Sequence, residues 1–187
     1  MTRKQKIWLF GGVGILAILL FSRRRDVQEV ASSAAESVKK FAFGAADPTE
    51  KNIVTLADEM QPIARRFVEQ ARAAGFPVVI TSGRRTMAEQ AALYAKGRTS
   101  PGGIVTNAQP GDSAHNFGLA FDFAFGDAIG RPTWPKDAPW AQVAEIGKQL
   151  GMTWGGDWKS FVDQPHFELP SWRVARAEYK ATGRVTA

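Results

Sequence analysis

Residues 118–125 alternate strictly. Leu119, Phe121, Phe123 and Phe125 fall on one face, and Ala120, Asp122 and Ala124 on the other. A strand with this pattern sets an aromatic face against a core and leaves Asp122 on a lightly built face. The chain is therefore obliged to form a sheet, and the segments around it supply partners. Residues 77–81 read as a buried strand, 152–154 as a short one, and 166–169 as another. Ile53, Leu56, Ala57, Met60, Ile63, Ala64, Phe67, Val68 and Ala71 form a helical stripe that Gly75 stops, with Pro62 starting or kinking the helix. Thr86 and Glu89 make a capping box for a helix over 87–96. Further helices are expected over 138–150 and 171–181. Between residues 97 and 111 lies a Gly/Pro/Ser/Asn loop long enough to suggest a function of its own. Helices and strands that do not follow a βαβ order imply an α+β domain with a small antiparallel sheet.

The chain has 187 residues, enough for one domain and a short appendage. It contains no cysteine, which excludes a disulfide scaffold, a thiolate metal site and a cysteine nucleophile. The net charge of +6 suggests nucleic-acid binding until it is located. Arg3, Lys4, Lys6, Arg23, Arg24 and Arg25 carry all of the excess, and the charges beyond residue 25 cancel. A neutral domain offers no basic patch, so nucleic acid is not an expected partner.

Between the basic clusters, residues 7–21 form an uninterrupted apolar run. As a helix it would span about 22 Å, short of a hydrocarbon core of about 30 Å, with Lys6 and Arg23 placed to snorkel. A cleaved signal peptide is the competing reading, but no small-residue cleavage site follows the run. The expectation is an uncleaved transmembrane signal anchor over 1–25, a linker or helical stalk over 26–47, and a catalytic domain over 48–187. The nearly equal basic clusters do not orient the anchor.

His115 and His166 are the only histidines. Asp122 follows His115 by seven residues, and Asp163 precedes His166 by three. A loop-end His115, a strand-borne Asp122 and His166 on a neighbouring strand can converge on one metal. Three protein ligands with one open position are the arrangement of a catalytic zinc site. No helical H-E-x-x-H pattern occurs, which excludes the thermolysin-like route.

Ser113-Ala114-His115-Asn116-Phe117-Gly118-Leu119-Ala120-Phe121-Asp122 resembles the S-x-H-x-x-G-x-A-x-D motif of the LAS metallopeptidases. That group takes in D-Ala-D-Ala carboxypeptidases, peptidoglycan endopeptidases and the hedgehog signalling domain. Trp154-Gly155-Gly156-Asp157-Trp158, with Asp163-Gln164-Pro165-His166-Phe167-Glu168, resembles the L-alanyl-D-glutamate endopeptidase branch, which includes phage endolysins. Ser82-Gly83-Arg84-Arg85-Thr86 and Glu89-Gln90 are similar to the same branch, with Arg84 where the family often has Tyr. The resemblance covers roughly residues 55–170.

What the resemblance implies is a hedgehog/D-Ala-D-Ala peptidase-like sheet carrying Zn²⁺ on His115, Asp122 and His166. Asp163 becomes the general base, and Arg85 stabilises an oxyanion or grips a substrate carboxylate; the alternative for Arg85 is a surface ion pair. Ser113 either contacts substrate or caps the loop. Glu168 either orients a ligand or makes a buried ion pair. Asp157, with Trp154 and Trp158, is expected to build the wall behind the ligands. The implied activity is hydrolysis of the L-Ala–D-Glu bond of peptidoglycan stem peptides, with a D,D-carboxypeptidase of the same fold as runner-up and a non-catalytic zinc module as a third reading. Such a substrate implies a single-pass protein of the inner membrane with its domain in the periplasm, and a monomer is the expectation.

Overall fold

The computed structural model describes residues 43–185. Its centre is a five-stranded sheet of β1 (Val78–Ser82), β2 (Ala120–Gly126), β3 (Pro132–Thr133), β4 (Thr153–Trp154) and β5 (His166–Glu168). The order is β1-β2-β5-β4, with the short β3 also on β2, and every pairing is antiparallel. Helices α1 (Thr49–Ile53), α2 (Met60–Ala73), α3 (Met87–Ala95), α4 (Trp140–Gln149) and α5 (Trp172–Thr182) surround it. The architecture is α+β, built on a small antiparallel sheet.

The alternation of residues 119–125 has the expected consequence. Phe121 and Phe123 are fully buried against Phe67 of α2 and Phe167 of β5, with ring centroids 5.1 to 5.7 Å apart. Such pairs add directional preference to the burial of large apolar area. Trp140 of α4 closes the cluster against Phe123 and Phe125. The expected single stripe over residues 53–71 divides into α1 and α2, and Pro62 sits in the first turn of α2, where its missing N–H leaves no intrahelical bond unmade.

The outer edge of β1 is covered by side chains instead of a strand. Thr49 Oγ1 accepts from Ile80 N at 3.1 Å, and Asn52 Nδ2 donates to Ile80 O at 2.9 Å. Arg72 donates from both Nε and Nη2 to Val78 O, and Nη2 also pairs with Asp47 at 2.7 Å. This satisfies an edge that would otherwise present unpaired backbone groups. Packed structure reaches back to Phe43, whose ring lies beneath the Arg72 guanidinium, ahead of the start expected at residue 48.

The expected N-terminal transmembrane helix is corrected. Among the described residues, no helix is long and apolar enough to cross a membrane. Residues 7–21, on which that expectation rested, lie outside the described residues, as does most of the expected stalk. The run was already about 8 Å short of the hydrocarbon thickness. The single-pass inner-membrane location, the periplasmic placement and the membrane as a partner rested on that helix and have no support among the described residues.

Candidate active site

The polar face of β2 continues onto β5. Asp122 is the direct cross-strand partner of His166, and Ala120 is the partner of Glu168. Residues opposite one another in such a pair project to the same side, so the sheet itself brings the carboxylate to the imidazole. Asp122 Oδ1 lies 3.2 Å from His166 Nδ1. The small Ala120 and Ala124 on either side of Asp122 leave room above the sheet.

His115 comes from outside the sheet. It stands in a short 3-10 turn, Ala114–Phe117, that ends at Gly118 with φ +69°. An L side chain would be strained there, and a Cβ would lie 2.6 Å from Ala57 N, so the turn both reverses and packs close only as glycine. The turn delivers His115 Nε2 to 3.3 Å from Asp122 Oδ1. His115, Asp122 and His166 offer ligand atoms within 4.8 Å of one another.

Each imidazole has its other nitrogen committed. His115 Nδ1 lies 2.7 Å from Gly83 O. With Nδ1–H donating to that carbonyl, Nε2 is free to ligate. Gly83 reaches this position because the β1–β2 register shifts between Ile80 and Ser82, where a bulge re-aims the chain. His166 Nε2 lies 3.3 Å from Glu168 Oε2, leaving Nδ1 toward Asp122. A carboxylate or carbonyl behind the ligating ring is the usual means of holding tautomer and orientation. Burial opposes a charge on His166, but Asp122 and Glu168 overcome it and push its pKa up to about 9. Burial likewise opposes charge on Asp122, and the two imidazoles hold its carboxyl well below the usual range. A buried acid between two imidazoles, one of them carrying a proton that a metal would displace, fits a divalent cation.

Asp163 and Arg85 line the same cleft, of about 510 Å³, with Ser113, Trp158 and Glu168. Burial, then the Asp122 charge, raises the Asp163 pKa, and His166, His115 and Arg85 offset part of that. The Asp163 backbone is stapled to the β4 end of the sheet by its N–H to Gly155 O at 3.0 Å. A Cβ on Gly155 would lie 2.5 Å from Asp163 O and 3.0 Å from His166 Cβ, so the segment carrying Asp163 comes this near the ligand only over a glycine. Trp154 Nε1 holds the same segment through Gln164 O at 2.7 Å.

Arg85 is tied at both ends. Its backbone N–H donates to His115 O at 3.0 Å, and its Nη1 donates to Gln90 Oε1 at 2.9 Å. Nη2 lies 3.9 Å from Asp122 Oδ2. Gln90 is fully buried, and its Nε2 donates to Ala108 O at 2.7 Å, so the same amide fixes both Arg85 and the 97–111 loop. Asn116 joins the Arg85 and Thr86 carbonyls to Gly111 N. Ser113 is buried at the head of the His115 turn and makes no capping hydrogen bond with its side chain.

Asp157 is not brought to the cleft. It is exposed and pairs with Lys148 at 2.8 Å, because the turn after β4 directs it toward α4. Trp154 is core, whereas Trp158 lines the cleft with its ring 5.0 Å from that of His166. Sequence reasoning assigned no role to Gln90, Asn116 or Arg173, a further cleft residue; a polar residue inside an otherwise apolar helical face, as at Gln90, was the available signal.

A family model described as D-alanyl-D-alanine carboxypeptidase matches residues 106–169. The peptidoglycan L-alanyl-D-glutamate endopeptidase CwlK of Bacillus subtilis is 43% identical over 123 residues, covering 59% of this chain and 74% of that protein. The L-alanyl-D-glutamate peptidase of Listeria phage A118 is 34% identical over 63% of this chain, which spans 39% of the phage protein. Among solved structures, the Serratia marcescens L-Ala D-Glu endopeptidase ChiX aligns with a TM-score of 0.52 at 25% identity, covering 71% of this chain and 92% of that one. The chain belongs to the LAS metallopeptidases, the family of the L-alanyl-D-glutamate endopeptidases and D-alanyl-D-alanine carboxypeptidases.

Proposed function

We propose that the protein is a zinc endopeptidase that hydrolyses the L-Ala–D-Glu bond of peptidoglycan stem peptides, with His115, Asp122 and His166 as the ligands. The observation that carries this is the convergence of those three groups and the ionisable Asp163 in one cleft. Both curated relatives described above bear an L-alanyl-D-glutamate peptidase name, which favours this bond over D-Ala–D-Ala. Bound there, Zn²⁺ would supply an activated water nucleophile and polarise the scissile carbonyl.

The chain's own residues supply the rest. Asp163 takes the proton from the attacking water and passes it to the departing amine. Arg85, held by Gln90 and the His115 turn, stabilises negative charge on the carbonyl oxygen. Ser113, with no capping bond to make, is available to the substrate. Glu168 keeps His166 turned toward Asp122.

The test is mass analysis of purified stem peptides incubated with the protein. A new D-Glu N-terminus is the expected product. Loss of a terminal D-Ala alone would assign the carboxypeptidase activity instead.

A further inference from the structure

Arg173 is a cation of the cleft that the scheme above leaves without a task. It stands in the first turn of α5, and three cations of that helix, Arg173, Arg176 and Lys180, recur at helical spacing. Two of them are committed. Arg176 Nε and Lys180 Nζ close on Asp112 Oδ1 at 2.7 and 3.1 Å. Among the described residues, Arg173 makes one ion pair, a long one from Nη2 to Glu168 Oε1 at 3.3 Å, and the other oxygen of Glu168 serves His166. The Arg173 side chain is 59% exposed, and its guanidinium lies 5.3 Å from the Trp172 ring centroid. Trp172 also lines the cleft. The group is thus steered toward the cleft while most of its donors stay open to solvent. Arg85 differs in each respect: its side chain is 19% exposed, bonded to Gln90 and close to Asp122.

The proposed substrate calls for such a cation. D-Glu continues the stem peptide through its γ-carboxyl, so its α-carboxylate stays free, three covalent bonds from the scissile carbonyl carbon. An anion that close to the reacting centre would meet Asp163 and Glu168 unless a cation received it. A guanidinium receives a carboxylate through two parallel N–H bonds, whereas a carboxamide offers one acceptor oxygen.

We propose that Arg173 binds the free α-carboxylate of the D-Glu residue and makes the enzyme selective for stem peptides that carry it over those with an α-carboxamide. This rests on the L-Ala–D-Glu reading. The division of labour leaves Arg85 to the developing oxyanion and gives Arg173 the ground-state anchor.

The experiment measures kcat and KM on two synthetic peptides, N-acetyl-L-Ala–γ-D-Glu–L-Lys and its α-carboxamide counterpart. The wild-type protein is expected to favour the carboxylate roughly 10- to 100-fold in kcat/KM, the range for a charge-assisted hydrogen bond. R173A should lower kcat/KM on the carboxylate peptide by about that factor, mainly through KM, and far less on the carboxamide. R173K should retain part of the preference. Equal cleavage of both peptides by the wild type would overturn the assignment while leaving the bond specificity intact. An equal loss on both peptides in R173A, with lowered zinc content, would also overturn it, because Arg173 would then act only through Glu168 and His166. Cleavage of neither peptide by the wild type would overturn the L-Ala–D-Glu reading itself.

Discussion

The two faces of β2 are built on opposite principles. On one, Phe121, Phe123 and Phe125 interlock with Phe67, Phe167 and Trp140. On the other, Asp122 stands between two alanines and meets His166 across the ladder. The first face has many interchangeable contacts, each weak. The second has few, and each is specific. The aromatic face anchors β2 in the core, while the β2–β5 ladder, and not any single ring contact, sets Asp122 against His166. A second contrast lies within the site, where Asp122 and His166 ride on paired strands while His115, Asp163 and Arg85 are held by turns and backbone staples.

Changes on the polar face should cost activity and spare the fold, and changes on the aromatic face should do the reverse. The largest effect is expected for Asp163→Asn. It should lower kcat by about 10²- to 10⁴-fold, the usual contribution of a general base, with zinc content and Tm unchanged. Unaltered turnover would remove Asp163 from the mechanism. Phe67→Ala should lower stability by about 3–5 kcal/mol in denaturant titration while zinc affinity, measured well below Tm, stays within a few-fold. A matching loss of zinc affinity would break the division between the faces.

Gly155→Ala tests the staple that holds Asp163. Its Cβ would meet Asp163 O and His166 Cβ, so the segment must move. A fall in kcat of roughly 10- to 100-fold is expected at nearly constant KM. The smallest effect belongs to Asp112, which ties α5 to the loop before the His115 turn. Burial opposes its charge, but Arg176 and Lys180 win and its pKa is lowered. A lowered folded-state pKa contributes stability that is present above the unfolded value of about 3.9 and is lost as pH falls through the folded one. D112N should therefore lower Tm by about 2–4 °C at pH 7, and the difference should start to shrink below about pH 4 and vanish once the pH has passed the folded-state pKa. A difference that grew on acidification would contradict the sign.

Much of this was legible in the sequence because the signals were local. Alternation over 119–125 identified β2 and placed Asp122 opposite the phenylalanines. The Thr86/Glu89 capping box marked α3, and both halves of that box form. What was not legible depended on contacts between distant segments. The apolar stripe over 53–71 does not say that the chain breaks between α1 and α2, since the break is satisfied by Gly118 O accepting from Ala57 N. Asp157 was misplaced because its proximity in sequence to Trp154 and Trp158 says nothing of the direction its turn takes. Gln90 lies in the same sequence segment as Arg85, but its service to both Arg85 and Ala108 follows only from loop closure. The apolar run at 7–21 is a strong local signal that lies outside the described residues.

The central claim is that a zinc ion on His115, Asp122 and His166 drives hydrolysis of the L-Ala–D-Glu bond. The most direct measurement follows release of the D-Glu N-terminus from a stem peptide as chelated protein is titrated with Zn²⁺. The account predicts no cleavage in the chelated protein, and activity that rises linearly to a plateau at one equivalent of zinc. Full cleavage at a zinc content far below one equivalent, or none at saturation, would contradict it.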